Sequence, residues 1–121
     1  MPRVLLVDDN RIFLQLFKEH LIGISSKLVI QEEVSGEEAL KKIKEIPPDL
    51  IFLDLRLPGM NGLQLAQEIK KNLPNIPIAI LTGYDLPEYR EAARQIGVDQ
   101  FFPKESLNWD DIEAFLNLID K

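Results

Sequence analysis

Short apolar runs alternate with stretches of helical periodicity along this chain. The runs are Arg3-Val4-Leu5-Leu6-Val7, Leu28-Val29-Ile30, Leu50 to Leu53, Ile78-Ala79-Ile80-Leu81 and Gln100-Phe101-Phe102. Runs this short, rich in Val, Ile, Leu and Phe, suit strands buried on both faces. Between them, apolar residues recur at helical spacing. Phe13, Leu16, Phe17 and Leu21 form one predicted stripe; Ala39, Leu40 and Ile43, with Ile46 as a further candidate, form a second. Leu63, Ala66 and Ile69 form a third, and Ile112, Phe115, Leu116 and Ile119 a last one.

Turn and cap residues punctuate the pattern where those helices must begin and end. Asn10 is a predicted N-cap for a helix through about Leu21. Ser35 and Glu38 read as a capping box, and Pro47-Pro48 stops the helix they open. Leu57-Pro58-Gly59 turns the chain, and Asn61-Gly62 opens a helix running to about Asn72. Asp85 and Glu88 form a second predicted box with Pro87 in the first turn, and Gly97 ends that helix near Ile96. The last helix starts near Asn108. Five strand–helix units with short connections predict an α/β fold, a doubly wound five-stranded parallel sheet covered on both faces. The expected strand order is 2-1-3-4-5, a flavodoxin-like three-layer sandwich; that order is a common doubly wound arrangement rather than something the spacing dictates.

Composition narrows the picture without changing it. The 121 residues suffice for one domain, 1–121, with a substantial core, and 45% hydrophobic and 28% charged residues are ordinary for a soluble globular protein. There is no cysteine, so a disulfide framework or thiolate metal site is excluded. A net charge of −6 argues against direct nucleic-acid contact by this domain. No apolar run approaches the roughly 18–20 residues of a membrane span, and the N-terminus lacks a signal-peptide pattern. A cytoplasmic location is expected.

The chemistry gathers at the strand ends. Asp8-Asp9, Asp54, Thr82 and Lys104 follow the first, third, fourth and fifth strands, which are neighbours in the expected order. That edge is where open parallel sheets bind ligands. Two like charges ~4 Å apart cost roughly 4 kcal/mol at an effective dielectric near 20, and a hard divalent cation such as Mg²⁺ offsets such repulsion best. Thr and Lys beside the acids point to a phosphoryl group, to which both can donate. Asp54, at the end of the central strand, is the best-placed nucleophile. Taken singly, each residue has a plainer reading as a solvated loop acid, a turn residue, a strand-end hydroxyl or a surface charge. It is their convergence on one edge that carries the inference.

Across its whole length the sequence resembles the response-regulator receiver domains of two-component signalling. Val4-Leu5-Leu6-Val7-Asp8-Asp9 resembles the acidic-pair motif, and Pro48 to Gly62, P-D-L-I-F-L-D-L-R-L-P-G-M-N-G, the acceptor motif. Ile78 to Gly83 and Phe101 to Lys104 resemble the hydroxyl and lysine motifs. The resemblance implies a phosphoacceptor module in which Asp54 is phosphorylated by a histidine kinase or histidine phosphotransfer protein. Asp9 and Asp54 would ligate Mg²⁺, Asp8 mainly through water, with the Arg56 backbone carbonyl as a further ligand. Thr82 would bond the phosphoryl group, Lys104 would pair with it, and Phe101 occupies the position of an aromatic that changes rotamer on activation. Arg56 and Tyr84 would flank the approach of water. The reader would be an output domain or separate target, with a phosphorylation-dependent dimer as one form of output. Any enzymatic activity would be limited to self-phosphorylation from small donors and autodephosphorylation.

Two residues depart from the family pattern. Glu105 follows Lys104 where many members carry proline, and a non-proline cis bond costs about 2.5–4 kcal/mol. Phe101 lacks the hydroxyl of a tyrosine, so a switch there acts through packing. The alternative enzyme reading is an aspartyl-phosphate-forming phosphohydrolase of haloacid-dehalogenase type. Such enzymes usually place a second acid two residues after the nucleophile, where this chain has Arg56. A flavodoxin-like binding module is a third reading, but Asp8-Asp9 stands where a phosphate cradle would be needed. His20, the single histidine, reads as a partly exposed residue near the end of the first helix, and Trp109 as packing at the start of the last.

Overall fold

The computed structural model describes residues 1–119. Five strands, β1 (Arg3–Val7), β2 (Val29–Glu33), β3 (Leu50–Leu53), β4 (Ile78–Thr82) and β5 (Gln100–Pro103), form one parallel sheet in the order 2-1-3-4-5. They alternate with α1 (Arg11–Ile24), α2 (Gly36–Glu45), α3 (Gly62–Asn72), α4 (Pro87–Ile96) and α5 (Trp109–Leu116). The expected doubly wound architecture is the one found.

Successive strand residues point to opposite faces, and the core divides accordingly. Val4, Leu6, Leu50, Phe52, Leu81 and Phe102 meet α1 and α5 through Leu14, Phe17, Leu21, Ile112 and Phe115. Leu5, Val7, Ile51, Leu53, Ile78 and Ile80 meet α2, α3 and α4 through Ala39, Ile43, Leu65, Ile69 and Ala93. β3, buried throughout, lies at the centre. Register places Val7 opposite Leu53, so the residues that follow them, Asp8 and Asp54, emerge side by side.

Several details differ from expectation, each for a local reason. In α1, Leu14 rather than Leu16 is buried: Leu14, Phe17 and Leu21 share one face, while Leu16, 60% exposed, lies with Ile12 on the other. In α3, Leu65 is fully buried and Leu63 only partly. Ile46 is exposed at the C-cap of α2. β2 runs on through Gln31-Glu32-Glu33, because an edge strand tolerates polar residues that a central one would not.

The reciprocal capping box lies at Asn61 and Gln64, whereas Ser35 accepts from the Glu38 N–H as half of such a box. Asp85 does not cap α4; its carboxylate is bound by Arg90, and Leu86 is the N-cap residue. Pro87 has no N–H to satisfy, which lessens the need for a side-chain cap. Asn10 and Asn108 cap α1 and α5 as expected, and Gly97 ends α4 at φ +97°, in the left-handed region. His20 is exposed and stacks on Trp109 with centroids 3.7 Å apart. No cis peptide occurs among the described residues, Lys104–Glu105 included.

Candidate functional site

The site sits at the C-terminal edge of β1, β3, β4 and β5. Asp8, Asp54 and Thr82 are the buried polar residues of the core, at 3%, 6% and 0% exposure, whereas Asp9 is exposed. One carboxylate oxygen from each of Asp8, Asp9 and Asp54 lies within 4.8 Å of the others. Lys104, at the end of β5, reaches across with its ammonium 2.6 Å from Asp8 Oδ2 and 3.6 Å from Asp54 Oδ2. Its position is steadied by the Phe13 ring of α1, 4.3 Å from Nζ to centroid. The sheet thus brings Asp8, Asp9, Asp54 and Lys104 together as the sequence suggested.

Hydrogen bonding is incomplete in a specific way. Asp8 Oδ1 accepts from the Asn10 N–H at 2.9 Å. Asp8 Oδ2, although close to Lys104, has no well-aligned donor, and buried Asp54 Oδ1 has no partner. Buried polar atoms are normally satisfied, and an orphaned carboxylate oxygen is costly. Two such oxygens beside an exposed third acid form a hard, oxygen-only donor set that fits Mg²⁺.

The same environment perturbs Asp54. Burial, then the neighbouring Asp8 charge, pushes its pKa up from 3.8 to about 6; Lys104 and the Leu55 backbone N–H pull the other way, and Asp9 adds to the rise. Asp54 is therefore ionised at neutral pH but under strain from its surroundings.

The remaining candidates surround this centre. Thr82 Oγ1 accepts from the Tyr84 N–H at 3.0 Å, so the hydroxyl is engaged by its own loop. Arg56 lies with its guanidinium carbon 3.9 Å over the Tyr84 ring, which bridges the β3–α3 and β4–α4 loops. Phe101, half-buried, faces the α4 side while Phe102 enters the opposite core. Arg90 of α4 covers the Phe101 ring at 4.7 Å and is ion-paired with Asp85.

No sequence signal marks the contacts of Arg90 with Phe101, of Phe13 with Lys104 or of Glu37 with Met60, each of which joins different elements. Gly62 was read only as a helix opener. A side chain there would collide with the Asp54 backbone carbonyl, so α3 packs directly on the end of β3. The Asn-Gly pair at 61–62 is the signal from which that close approach could have been inferred.

This is a doubly wound α/β domain with three carboxylates, a hydroxyl and an ammonium at the C-terminal edge of its sheet, where open α/β sheets bind ligands. Comparison with known proteins makes this specific: a sequence profile of the response regulator receiver domain matches residues 4–117, and the chain belongs to that family. It is 38% identical over 124 aligned positions to the response regulator protein VraR of Staphylococcus saprophyticus, covering 94% of this chain and 55% of that protein. The chain thus spans about half the length of the curated relatives it matches.

Among solved structures, a LuxR-family DNA-binding response regulator from Staphylococcus aureus superposes with a TM-score of 0.88 at 26% identity, covering all of both chains. The non-phosphorylated HemR receiver domain of Leptospira biflexa superposes with a TM-score of 0.83 at 30% identity, covering 98% of this chain and 93% of that one. These comparisons support a two-component receiver domain and lend nothing to the phosphohydrolase alternative. No helix among the described residues is long and apolar enough to cross a membrane.

The raised Asp54 pKa has a consequence for stability. The folded carboxyl binds its proton more tightly than the unfolded one, so the native state holds the excess proton between about pH 4 and pH 6. Stability therefore falls as pH rises through that window. In metal-free buffer, Asp54→Asn should melt several degrees above the native chain near neutral pH, and the two should converge at about pH 4. Thermal melts across this range check it; a difference independent of pH would show that Asp54 carries no such penalty.

Proposed function

We propose that Asp54 is the phosphoacceptor and that its phosphorylation by a histidine kinase or histidine phosphotransfer protein switches the α4–β5 surface. The observation that carries this reading is Asp54 Oδ1, buried and unpartnered at the end of the central strand, with Lys104 3.6 Å from the other oxygen. Asp9, Asp54 and the Arg56 backbone carbonyl would hold Mg²⁺ directly, with Asp8 acting mainly through water. Bound there, the ion supplies positive charge against the repulsion of the acids and the charge on the phosphoryl oxygens.

An Asp54 carboxylate oxygen forms the new O–P bond as the P–N bond to the donor imidazole breaks. The electron pair leaves on the imidazole nitrogen, which takes up a proton from solvent. Lys104 pairs with a phosphoryl oxygen, and the Thr82 hydroxyl turns from the Tyr84 N–H to donate to another. The movement of Thr82 loosens the β4–α4 loop, and Phe101 repacks against α4. An output domain or separate target reads the result; the greater length of the curated relatives supports such a reader. The domain itself is an acceptor module rather than an enzyme with turnover, and it operates in the cytoplasm.

Incubation with a small phosphodonor and Mg²⁺ should add one base-labile phosphoryl group, read by intact mass, and Asp54→Asn should take up none. Uptake by the Asn variant equal to that of the native chain would remove Asp54 from the role.

The Arg56–Tyr84 stack supports a second expectation, that these side chains restrict the path of water to the acyl phosphate. Tyr84→Ala should lose phosphate faster than the native chain in a mass-monitored decay. Equal half-lives would mean the stack does not limit access.

The Thr82 step is worth one charge-assisted hydrogen bond, roughly 1.5–3 kcal/mol, and so a population shift of about tenfold to a hundredfold. Thr82→Ala should still accept phosphate while beryllofluoride moves the amide shifts of 84–97 and 99–102 far less than in the native chain. Shift changes of native size would place the coupling elsewhere.

A further inference from the structure

Between β3 and α3 the chain makes a loop, Asp54 to Asn61, that carries both the acceptor and Arg56. Its base is closed by the Gly62 N–H donating to the Leu55 carbonyl at 2.8 Å, with Gly62 packed on the Asp54 carbonyl. The tip, Pro58-Gly59-Met60, is exposed at Pro58 and Gly59, and its Met60 N–H is bound by a different element. The Glu37 carboxylate, in the first turn of α2, accepts from the Met60 N–H at 3.0 Å through Oε2 and 3.3 Å through Oε1.

Two glycines make that approach possible from both sides. Gly59, at φ +71°, presents no side chain where the Glu37 carboxylate lies, and a Cβ there would overlap it. Gly36, the residue before Glu37, packs on the same loop; a Cβ there would come 2.8 Å from the Met60 carbonyl and 3.1 Å from its Cβ. The contact is therefore built from both partners. Neither helix requires it for its own capping: Ser35 supplies the α2 N-cap and Asn61 with Gln64 caps α3.

We propose that Glu37 is a positioning residue for the metal site: by anchoring Met60 it fixes the tip of the β3–α3 loop and thereby the Arg56 carbonyl. The loop is pinned at its base by Gly62, beside Arg56 by the buried Leu55 and Leu57, and at its tip by Glu37, so Glu37 fixes the stretch that the core side chains do not. Releasing the tip restores conformational freedom to the segment, and Mg²⁺ binding must then remove that freedom at its own expense. The coupling is reciprocal, so Mg²⁺ in turn tightens the Glu37–Met60 contact and links α2 to the occupancy of the site. This inference rests on the Mg²⁺ reading given above.

The test is calorimetric titration of Mg²⁺ into the native chain, Glu37→Ala and Glu37→Gln, with amide hydrogen exchange of Met60 measured alongside. Glu37→Ala should bind Mg²⁺ roughly threefold to tenfold more weakly, the scale of one net hydrogen bond. Glu37→Gln keeps an acceptor oxygen and should recover most of the affinity. The Met60 amide should exchange faster in Glu37→Ala, and Mg²⁺ should slow its exchange in the native chain.

Equal affinity in the native and Ala chains overturns the role of Glu37 and leaves the metal site standing. Loss of affinity of the same size in Gln and Ala overturns the anchor, because it assigns the effect to the long-range charge of Glu37. Absence of Mg²⁺ binding in the native chain overturns the metal reading itself, and this inference with it.

Discussion

Repulsion among Asp8, Asp9 and Asp54 is the constraint on which the rest of the structure depends. Three carboxylates within 4.8 Å, two of them buried, cannot be held by local preference alone. They are held because Asp8 and Asp54 directly follow core strands, with Asp9 next to Asp8, and the strands are fixed by two apolar layers. Lys104 supplies the one positive charge close to both buried acids, yet it satisfies neither fully: Asp8 Oδ2 lacks an aligned donor and Asp54 Oδ1 has none. Burial that strengthens the core thus leaves the edge short of positive charge and of donors.

The arrangement on the far side of the edge follows from the period-two alternation of β5. Phe102 enters the layer under α5, where it packs edge-on against Phe115. Phe101 is thereby directed to the α4 side, where Arg90 rather than apolar residues alone covers its ring. Arg90 is in turn bound by Asp85, in the loop that follows Thr82 and carries Tyr84. The hydroxyl, the loop, the ion pair and the aromatic ring therefore form a contiguous chain of contacts from the site to the outer face of α4.

Much of this was legible in the sequence because the signals were local or periodic. The strands appeared as apolar runs ending in Asp8, Asp54, Thr82 and before Lys104, and short connections between alternating elements implied parallel pairing. What escaped was of two kinds. Leu14 and Leu16 are both leucines within one helical turn of the stripe, and composition alone does not say which faces inward; packing against Phe17, Leu21 and the sheet decides it. Asp85 carried a cap-like pattern but is bound by Arg90, and Glu37, which carried no signal of its own beside the Ser35–Glu38 pattern, accepts from the Met60 N–H. Such partners, five and twenty-three positions away, become visible only when the elements have been brought together.

The pairing of Val7 with Leu53 also means that the core proofreads the site. A slip of one residue between β1 and β3 would turn Leu5 and Val7 out of one apolar layer and Leu6 out of the other. The cost falls on several large side chains at once, long before any property of the acids is consulted. A chain that has the wrong spacing between Asp8 and Asp54 is consequently a chain that has not folded, and the electrostatics never have to choose between nearly equivalent arrangements. Placing Asp8 and Asp54 one residue beyond the strands delegates their positions to the apolar residues that precede them.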